Sequence, residues 1–326
     1  MKIGKFFLPV LACMSLVGVA VADNANGSQA YPNKTVNMIV GFGAGGASDI
    51  LARVLASELQ QEWGQSVVVD NKAGASGIIG TGFVAKARPD GYTLQLLAGN
   101  HTINPALRNN LPFDSVADVT PIMLLASAPN MLIVKADSGF KSLDDYIAAA
   151  KSSPEAVSYA TSGMGTTVHL AGEKFANMAH IKLNHIPYKG SAQSVNAVLS
   201  GEVDSAWVAL NSSLSFVKSG DVRVLGVASN ARSNFLPEAP VFKEQGIDME
   251  SHNWLAVSGP GKMPDDIVIK IQSDLKRVLE KPAFLQRLAE LGLEPIGMEH
   301  ADFTRLIQDE IADYRQTVES AGIKLE

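Results

Sequence analysis

The chain of 326 residues contains a single cysteine, Cys13, set inside an apolar N-terminal run. Once that run is removed, no thiol, disulfide or cysteine-based metal site remains. A lipoprotein reading of Cys13 fails, because the apolar stretch before it is too short and the run continues past it. Positive charge is also scarce: 27 Lys and Arg against 33 Asp and Glu leave a net charge of −6. An acidic surface argues against nucleic acid or anionic lipid as partners. An anionic guest would have to be attracted by local groups. Internal repeats, coiled-coil heptads and low-complexity stretches are lacking. His169 and Glu173 stand four apart on one helix face, but no third ligand accompanies them, so no metal site is expected. Ser162 and Ser191 lack the G-x-S-x-G setting of a hydrolase nucleophile. His180 and His185 flank a turn and read as surface residues, and Trp63, Trp207 and Trp254 as core or hinge packing.

What is present begins with an address. Lys2 and Lys5 precede an apolar run from Phe6 to Val21, and Ala20 and Ala22 form an A-x-A cleavage pattern before Asp23. Residues 1–22 therefore read as a secretory signal peptide and 23–30 as a short polar leader. Cleavage leaves 326 − 22 = 304 residues and, without Lys2 and Lys5, a formal charge of −6 − 2 = −8. That length suits about two domains.

From Tyr31 onward, apolar β-type runs alternate with helical patterns. Strands are predicted at Val36–Val40, Val67–Val69 and Thr93–Leu97. Helices are predicted from the Ile50, Leu51, Val54, Leu55 and Leu59 face, ended by Gly64, and at Ile78–Ala87. This β-α-β-α-β order implies a parallel sheet with helices on its faces. A second unit starts near Pro129, with strands at Leu132–Val134, Ser158–Ala160, His185–Ile186, Ser205–Val208 and Val222–Ala228. Its helices are Ser142–Lys151, capped by Ser142, Thr166 to about Met178, and Ser191–Leu199. After a strand at Leu255–Ser258 the chain turns helical, at Pro264–Leu279, Ala283–Leu291 and Asp302–Ser320.

Two glycine-rich turns stand out. The first, Val40-Gly41-Phe42-Gly43-Ala44-Gly45-Gly46-Ala47-Ser48-Asp49, joins a strand to a helix. Glycines let backbone approach a guest, and the unpaired amides of a helix start form an anion seat without lysine or arginine. A plain connection capped by Ser48 or Asp49 fits the same residues. So does a dinucleotide fingerprint: Gly41, Gly43 and Gly46 satisfy G-x-G-x-x-G, and Asp70 ends the next strand where a ribose-binding acid would sit. An NAD-dependent oxidoreductase is the alternative that this motif keeps open; export and the lack of a hydride-transfer constellation weigh against it. The second turn, Ser162-Gly163-Met164-Gly165-Thr166-Thr167-Val168-His169, again precedes a helix, with two hydroxyls and an imidazole in reach. It reads as a second carboxylate seat or as ordinary capping by Thr166 or Thr167.

Further motifs run in a fixed order: Tyr31-Pro32-Asn33-Lys34-Thr35-Val36, Val69-Asp70-Asn71-Lys72-Ala73-Gly74-Ala75-Ser76-Gly77, and Arg88-Pro89-Asp90-Gly91-Tyr92-Thr93-Leu94. Ile103-Asn104-Pro105-Ala106-Leu107, His169-Leu170-Ala171-Gly172-Glu173, Ile186-Pro187-Tyr188-Lys189-Gly190 and Gly201-Glu202-Val203-Asp204 continue the series. In content and order the series resembles Bug-type receptors, the solute-binding proteins of tripartite tricarboxylate transporters. The resemblance implies an α/β, two-lobe periplasmic-binding-protein architecture of type II, a Venus flytrap. One lobe would comprise residues 31–127 and 253–326, the other residues 128–252, with hinges near Ser127–Pro129 and His252–Asn253. It further implies a periplasmic monomer without catalytic activity or cofactor, and not inserted in the membrane after signal cleavage. That monomer would bind a small di- or tricarboxylate between its lobes and deliver it to the membrane subunits of such a transporter.

Matched to the family, Phe42, Gly43, Gly45, Gly46, Ser48 and Asp49 belong to the first carboxylate seat, completed partly by waters. Ala75, Ser76, Gly77, Asn100, His101 and Thr102 line the rim of that lobe. Gly165, Thr166, Thr167 and His169 form the second seat, with Tyr188, Lys189 and Gly190 nearby. The chain departs from the family pattern at Gly43 and Ala44, where prolines are usual, which implies a less rigid loop. Met164 replaces a common polar residue. Val208 and Ala209 stand where an aspartate-asparagine pair is usual. An apolar pair cannot hold a ligand ammonium without a desolvation cost, so a plain diacid is expected to be a better guest than an amino acid.

Overall fold

The computed structural model describes Met1 and residues 31–323. The expected signal peptide and leader lie outside the described residues.

The opening segment folds as its hydrophobic pattern demands. The apolar run Val36–Val40 is strand β1, and α1 (Ala47–Trp63) buries Leu51, Leu55 and Leu59 along one stripe. Gly64 ends α1 in the left-handed region (φ 62°), a conformation that costs glycine nothing. Strand β2 (Val67–Asn71), a 3-10 turn at Ala75–Gly77, α2 (Ile78–Ala85) and β3 (Thr93–Ala98) follow, and then α3 (Asn100–Leu107). Beyond it runs one long strand, β4 (Val119–Lys135). The next stretch comprises α4 (Leu143–Ser152), β5 (Ser158–Thr161), α5 (Thr167–Ala179), β6 (Asn184–Pro187) and α6 (Ser191–Ser200). It continues with β7 (Ser205–Ala209), α7 (Leu210–Lys218) and β8 (Val222–Val227). Strand β9 (His252–Pro260), α8 (Asp265–Leu279), α9 (Pro282–Glu290), β10 (Glu294–Glu299) and α10 (His300–Ala321) close the chain.

Two sheets share β4. In the first, β2, β1 and β3 are parallel, and β9, β4 and β10 extend the sheet antiparallel. In the second, β6, β5 and β7 are parallel, and β4 and β8 add antiparallel. Strand β4 pairs with β9 as far as Pro129 opposite His252, and from Asn130 it pairs with β7. Separate cores cover the two sheets: Leu51, Leu55, Leu275 and Phe284 on the first, Tyr146, Tyr159, Phe175 and Trp207 on the second.

Most predicted elements are present, and the cap at Ser142 forms a full capping box with Asp145. The sequence reading missed α3, α7, β10 and the part of β4 before Leu132. Pro105 lies inside α3, and α7 follows β7 with no linker residue, so neither carries its usual boundary signal. Pro121 and Pro129 interrupt the apolar run of β4, and the first sits beside a register shift, where a strand tolerates proline. His185 corrects its surface assignment: it is half-buried in β6, stacked between Tyr159 (4.8 Å) and His169 (4.0 Å). His180 is exposed, as expected.

The packing of α5 supplies a stability test. A Cβ on Gly172 would lie 2.6 Å from Tyr159 Cε2 and 3.1 Å from Trp207 Cδ1. Gly172→Ala gains about 1 kcal/mol of helix propensity but overpacks this core by roughly 1–3 kcal/mol. We expect a net loss of thermal stability; an unchanged or higher Tm would show that the two rings yield freely.

Candidate functional site

Sheet order decides where a guest can sit. In open α/β sheets the crevice lies beyond the C-terminal ends of parallel strands where the order reverses. Those ends are β1 and β3 in the first sheet and β5 and β7 in the second. Each is followed by a helix start, of α1, α3, α5 and α7 respectively. The first-turn amides of a helix have no intrahelical acceptor and carry a partial positive charge. The α3 and α5 starts meet: a Cβ on Gly99 would lie 3.7 Å from Thr167 Cγ2.

The first glycine-rich turn is tied from behind. Asp49, only 3% exposed, accepts from the Gly45 amide (2.9 Å), Arg53 Nε (3.0 Å) and Asn71 Nδ2 (3.0 Å). Asn71 Nδ2 also donates to the Phe42 carbonyl at 3.0 Å. The hydrogen bond from Arg53, and then that from Gly45, lowers the Asp49 pKa to about 2. Asp49 thus fastens the loop and has no oxygen left for a guest, and the N-cap of α1 is Gly46, with no side-chain cap from Ser48 or Asp49. These ties oppose the looser loop implied by Gly43 and Ala44. Gly43, Gly45 and Gly46 are exposed and Ser48 half-buried at the helix start.

Behind that loop, Phe42, Ser76, Gly77, Asn100 and His101 line one small chamber together with Thr81, Gln95 and Asn104. Ala75 and Ser76 both have positive φ (48° and 54°), and Asn104 Nδ2 secures the Ser76 carbonyl at 3.2 Å. Thr102 is fully buried and donates to Glu310 Oε2 (2.8 Å), so it anchors α3 to α10 and does not face the rim. Trp254 Nε1 donates to the same carboxyl group, whose pKa burial raises. His101 Nε2 lies 2.8 Å from the Ser115 carbonyl, and burial lowers its pKa to about 4.

The second turn is built similarly. Thr166 caps α5, accepting from the His169 amide, and donates to the Gly163 carbonyl at 2.8 Å. Gly165, at φ 67°, donates its amide to His169 Nδ1 at 3.1 Å. That bond leaves the His169 hydrogen on Nε2, which lies 3.8 Å from Glu173 Oε1. Burial, with the neighbouring His185, lowers the His169 pKa to about 3. His169 therefore positions the loop, and its ring is 2% exposed. Thr167 makes no side-chain hydrogen bond among the described residues, which leaves its hydroxyl open to a guest.

The remaining predicted residues are more peripheral. The Tyr188 carbonyl lies beside Gly163 while its hydroxyl donates to Glu202, and Lys189 is exposed. Val208 is fully buried in the second-sheet core, so its side chain is structural; Ala209, 7% exposed, ends β7. Sequence reasoning did not single out Thr81, Gln95, Asn104 or the α7 start at Leu210 and Asn211, all of which lie outside the two turns on which it concentrated. A wider depression lined by Arg108, Phe113, Asp114 and Arg315 holds none of the predicted residues.

The family model described as "Tripartite tricarboxylate transporter family receptor" matches residues 51–323. The chain belongs to this family. It is 33% identical over 316 residues to the protein BugT of Bordetella pertussis, covering 96% of each chain. Its fold matches a Rhodopseudomonas palustris protein solved with adipate (TM-score 0.76, 32% identity, 90% of this chain and 99% of that one). It also matches MatC of the same organism, solved with malate (TM-score 0.72, 26% identity, 88% and 100%). The family and these neighbours are solute-binding receptors with the two-lobe architecture, not enzymes, which overturns the dinucleotide reading. The chain itself agrees: the Cα face of Gly41 is packed on Gly77 and Gly80, and Asp70 pairs with Lys72.

Two buried histidines and the half-buried His185 predict acid sensitivity for this receptor. His101, His169 and His185, with pKa values of about 4, 3 and 4, all fall below the ordinary 6.5 through burial. The unfolded chain therefore takes up protons first, so their stabilisation is complete above about pH 6.5 and declines as pH falls toward the folded values. Each ring adds a slope of up to about 1.4 kcal/mol per pH unit in that window. Glu173 and Glu310, raised by burial, protonate sooner in the folded protein and offset part of the loss. Tm is expected to drop between pH 7 and pH 5, with a shallower drop in His185→Phe; a flat profile would contradict the assignment.

Proposed function

We propose that this receptor binds a small di- or tricarboxylate in the periplasm and delivers it to the membrane subunits of a tripartite tricarboxylate transporter. The observation that carries the reading is the approach of the α3 and α5 starts across the crevice, Gly99 against Thr167. In a protein of net charge −6, such amides and the Thr167 hydroxyl offer the donors that a carboxylate needs. The adipate and malate bound by two relatives support the same solute class. Among the described residues no helix is long and apolar enough to cross a membrane.

In this reading residues 31–127 and 253–326 form one lobe and 128–252 the other. The hinge is where β4 exchanges β9 for β7, beside Pro129 and His252. A solute that touches both helix starts binds the closed form better and so shifts the population toward it. The closed monomer is what the membrane partner would recognise. With Val208 and Ala209 at the β7 end, no carboxylate awaits an ammonium there, so amino acids rank below plain acids.

Thermal-shift screening of the mature protein against mono-, di- and tricarboxylates, followed by calorimetry, tests this. Adipate or malate should raise Tm, NAD should not, and glutamate should bind more weakly than glutarate. Thr167→Val keeps the Cγ2 contact and loses the hydroxyl; it should weaken the best acid tenfold or more, since a hydrogen bond to charge is worth roughly 1.5–3 kcal/mol. A shift with NAD and none with any acid would reverse the conclusion.

A further inference from the structure

The chamber behind the first turn contains two acceptors that the protein does not satisfy. Gln95 Oε1 and His101 Nδ1 are both buried without a hydrogen-bond partner, on side chains 2% and 3% exposed. Both residues line the same cavity, whose free space for a water centre is about 10 Å³, the size that admits one molecule. Their protonation is constrained. His101 Nε2 faces the Ser115 carbonyl, a pure acceptor, so the ring hydrogen sits on Nε2 and Nδ1 can only accept. Gln95 Nε2 donates to Thr81 Oγ1 at 2.9 Å, which leaves Gln95 Oε1 as an acceptor and the Thr81 hydroxyl hydrogen free to donate.

We propose that one buried water molecule is a fixed component of this chamber, donating its two hydrogens to Gln95 Oε1 and His101 Nδ1 and accepting from the Thr81 hydroxyl. The assignment satisfies every member of the set with one molecule. Left bare, each acceptor would carry the desolvation cost of a buried unpaired polar group. The water also changes what the first lobe presents. Two unshared acceptors behind the anion seat would oppose a carboxylate. Consumed by the water, they do not, and its remaining lone pair is available to a donor from Asn100 or Ser76, both of which line the chamber. Gln95, Thr81 and the water thus position His101 at the start of α3 without touching the solute.

The test needs no solute, so its outcome is separate from that of the acid-binding screen. A high-resolution crystal structure of the solute-free mature chain should show one ordered water within hydrogen-bond distance of both atoms. Nitrogen NMR of His101 should show the neutral Nε2–H tautomer. An empty chamber, or Gln95 turned to bond the Ser258 hydroxyl opposite it across β3 and β9, would overturn the proposal. So would a hydrogen on Nδ1, because the water could then not be its donor.

Discussion

The interaction on which the rest depends is the unpaired amide at a helix start. In the proposed function an acidic chain with no lysine or arginine in its glycine-rich turns attracts negative charge by fixed dipoles. Dipoles act only where they point, so the backbone must be held still. The two sheets accomplish the coarse part by ending four strands at two order reversals. Buried side chains accomplish the fine part. Asp49 and Asn71 hold the first loop at Gly45 and Phe42, and His169 and Thr166 hold the second at Gly165 and Gly163. In both loops an ionisable group serves the backbone from behind; the pKa of Asp49 is lowered by the hydrogen bonds it accepts and that of His169 by burial, so neither departure by itself signals chemistry.

The same economy links the two lobes. Thr167, Leu170, Lys174 and Asn177 follow one another along α5 at helical spacing. Thr167 meets Gly99, Leu170 joins the cluster of Ile103, Leu107, Tyr314 and Val318, Lys174 bonds Asp313, and Asn177 bonds Ser320. One face of the helix that follows the second glycine-rich turn is therefore laid along α3 and α10. Contacts of this kind, made away from the guest, set how readily the lobes part. Affinity is an intrinsic binding constant scaled by the fraction of molecules in the competent form. In the proposed closure, residues such as Leu170 would contribute to affinity through that fraction.

How far this was legible in the sequence depends on the range over which each signal acts. The boundaries of β1 and α1 follow from a valine-rich run, a leucine stripe and Gly64, all within a few residues. The family motifs identify both glycine-rich turns for the same reason. Helix α3 was hidden because Pro105 argues against a helix at each local step, while its packing on α10 supplies the compensation. The part played by Asp49 was equally hidden. Its partners Gly45, Arg53 and Asn71 are spread over two elements, and only the fold shows that the carboxylate is already occupied. Gln95 lies within the predicted strand Thr93–Leu97, and nothing in that run reveals that its side chain would line a chamber shared with His101.

In the proposed function the junction after β7 bears most directly on selectivity. Val208 is committed to the core, Ala209 ends the strand, and α7 begins at once with Leu210 and Asn211. Asn211 packs so closely on Gly292 that a Cβ there would lie 2.9 Å from its Cα, and its Oδ1 is buried without a partner. This corner thus offers helix-start amides and one amide side chain, but no carboxylate. A cationic substituent placed there would lose its hydration for a single neutral acceptor, a poor exchange at several kcal/mol per desolvated ion. A methylene would lose nothing. In the proposed function the lobe of the second sheet would discriminate by what it withholds: anions would be accepted through α5 and cations disfavoured beside α7, leaving chain length and shape to decide among the plain acids.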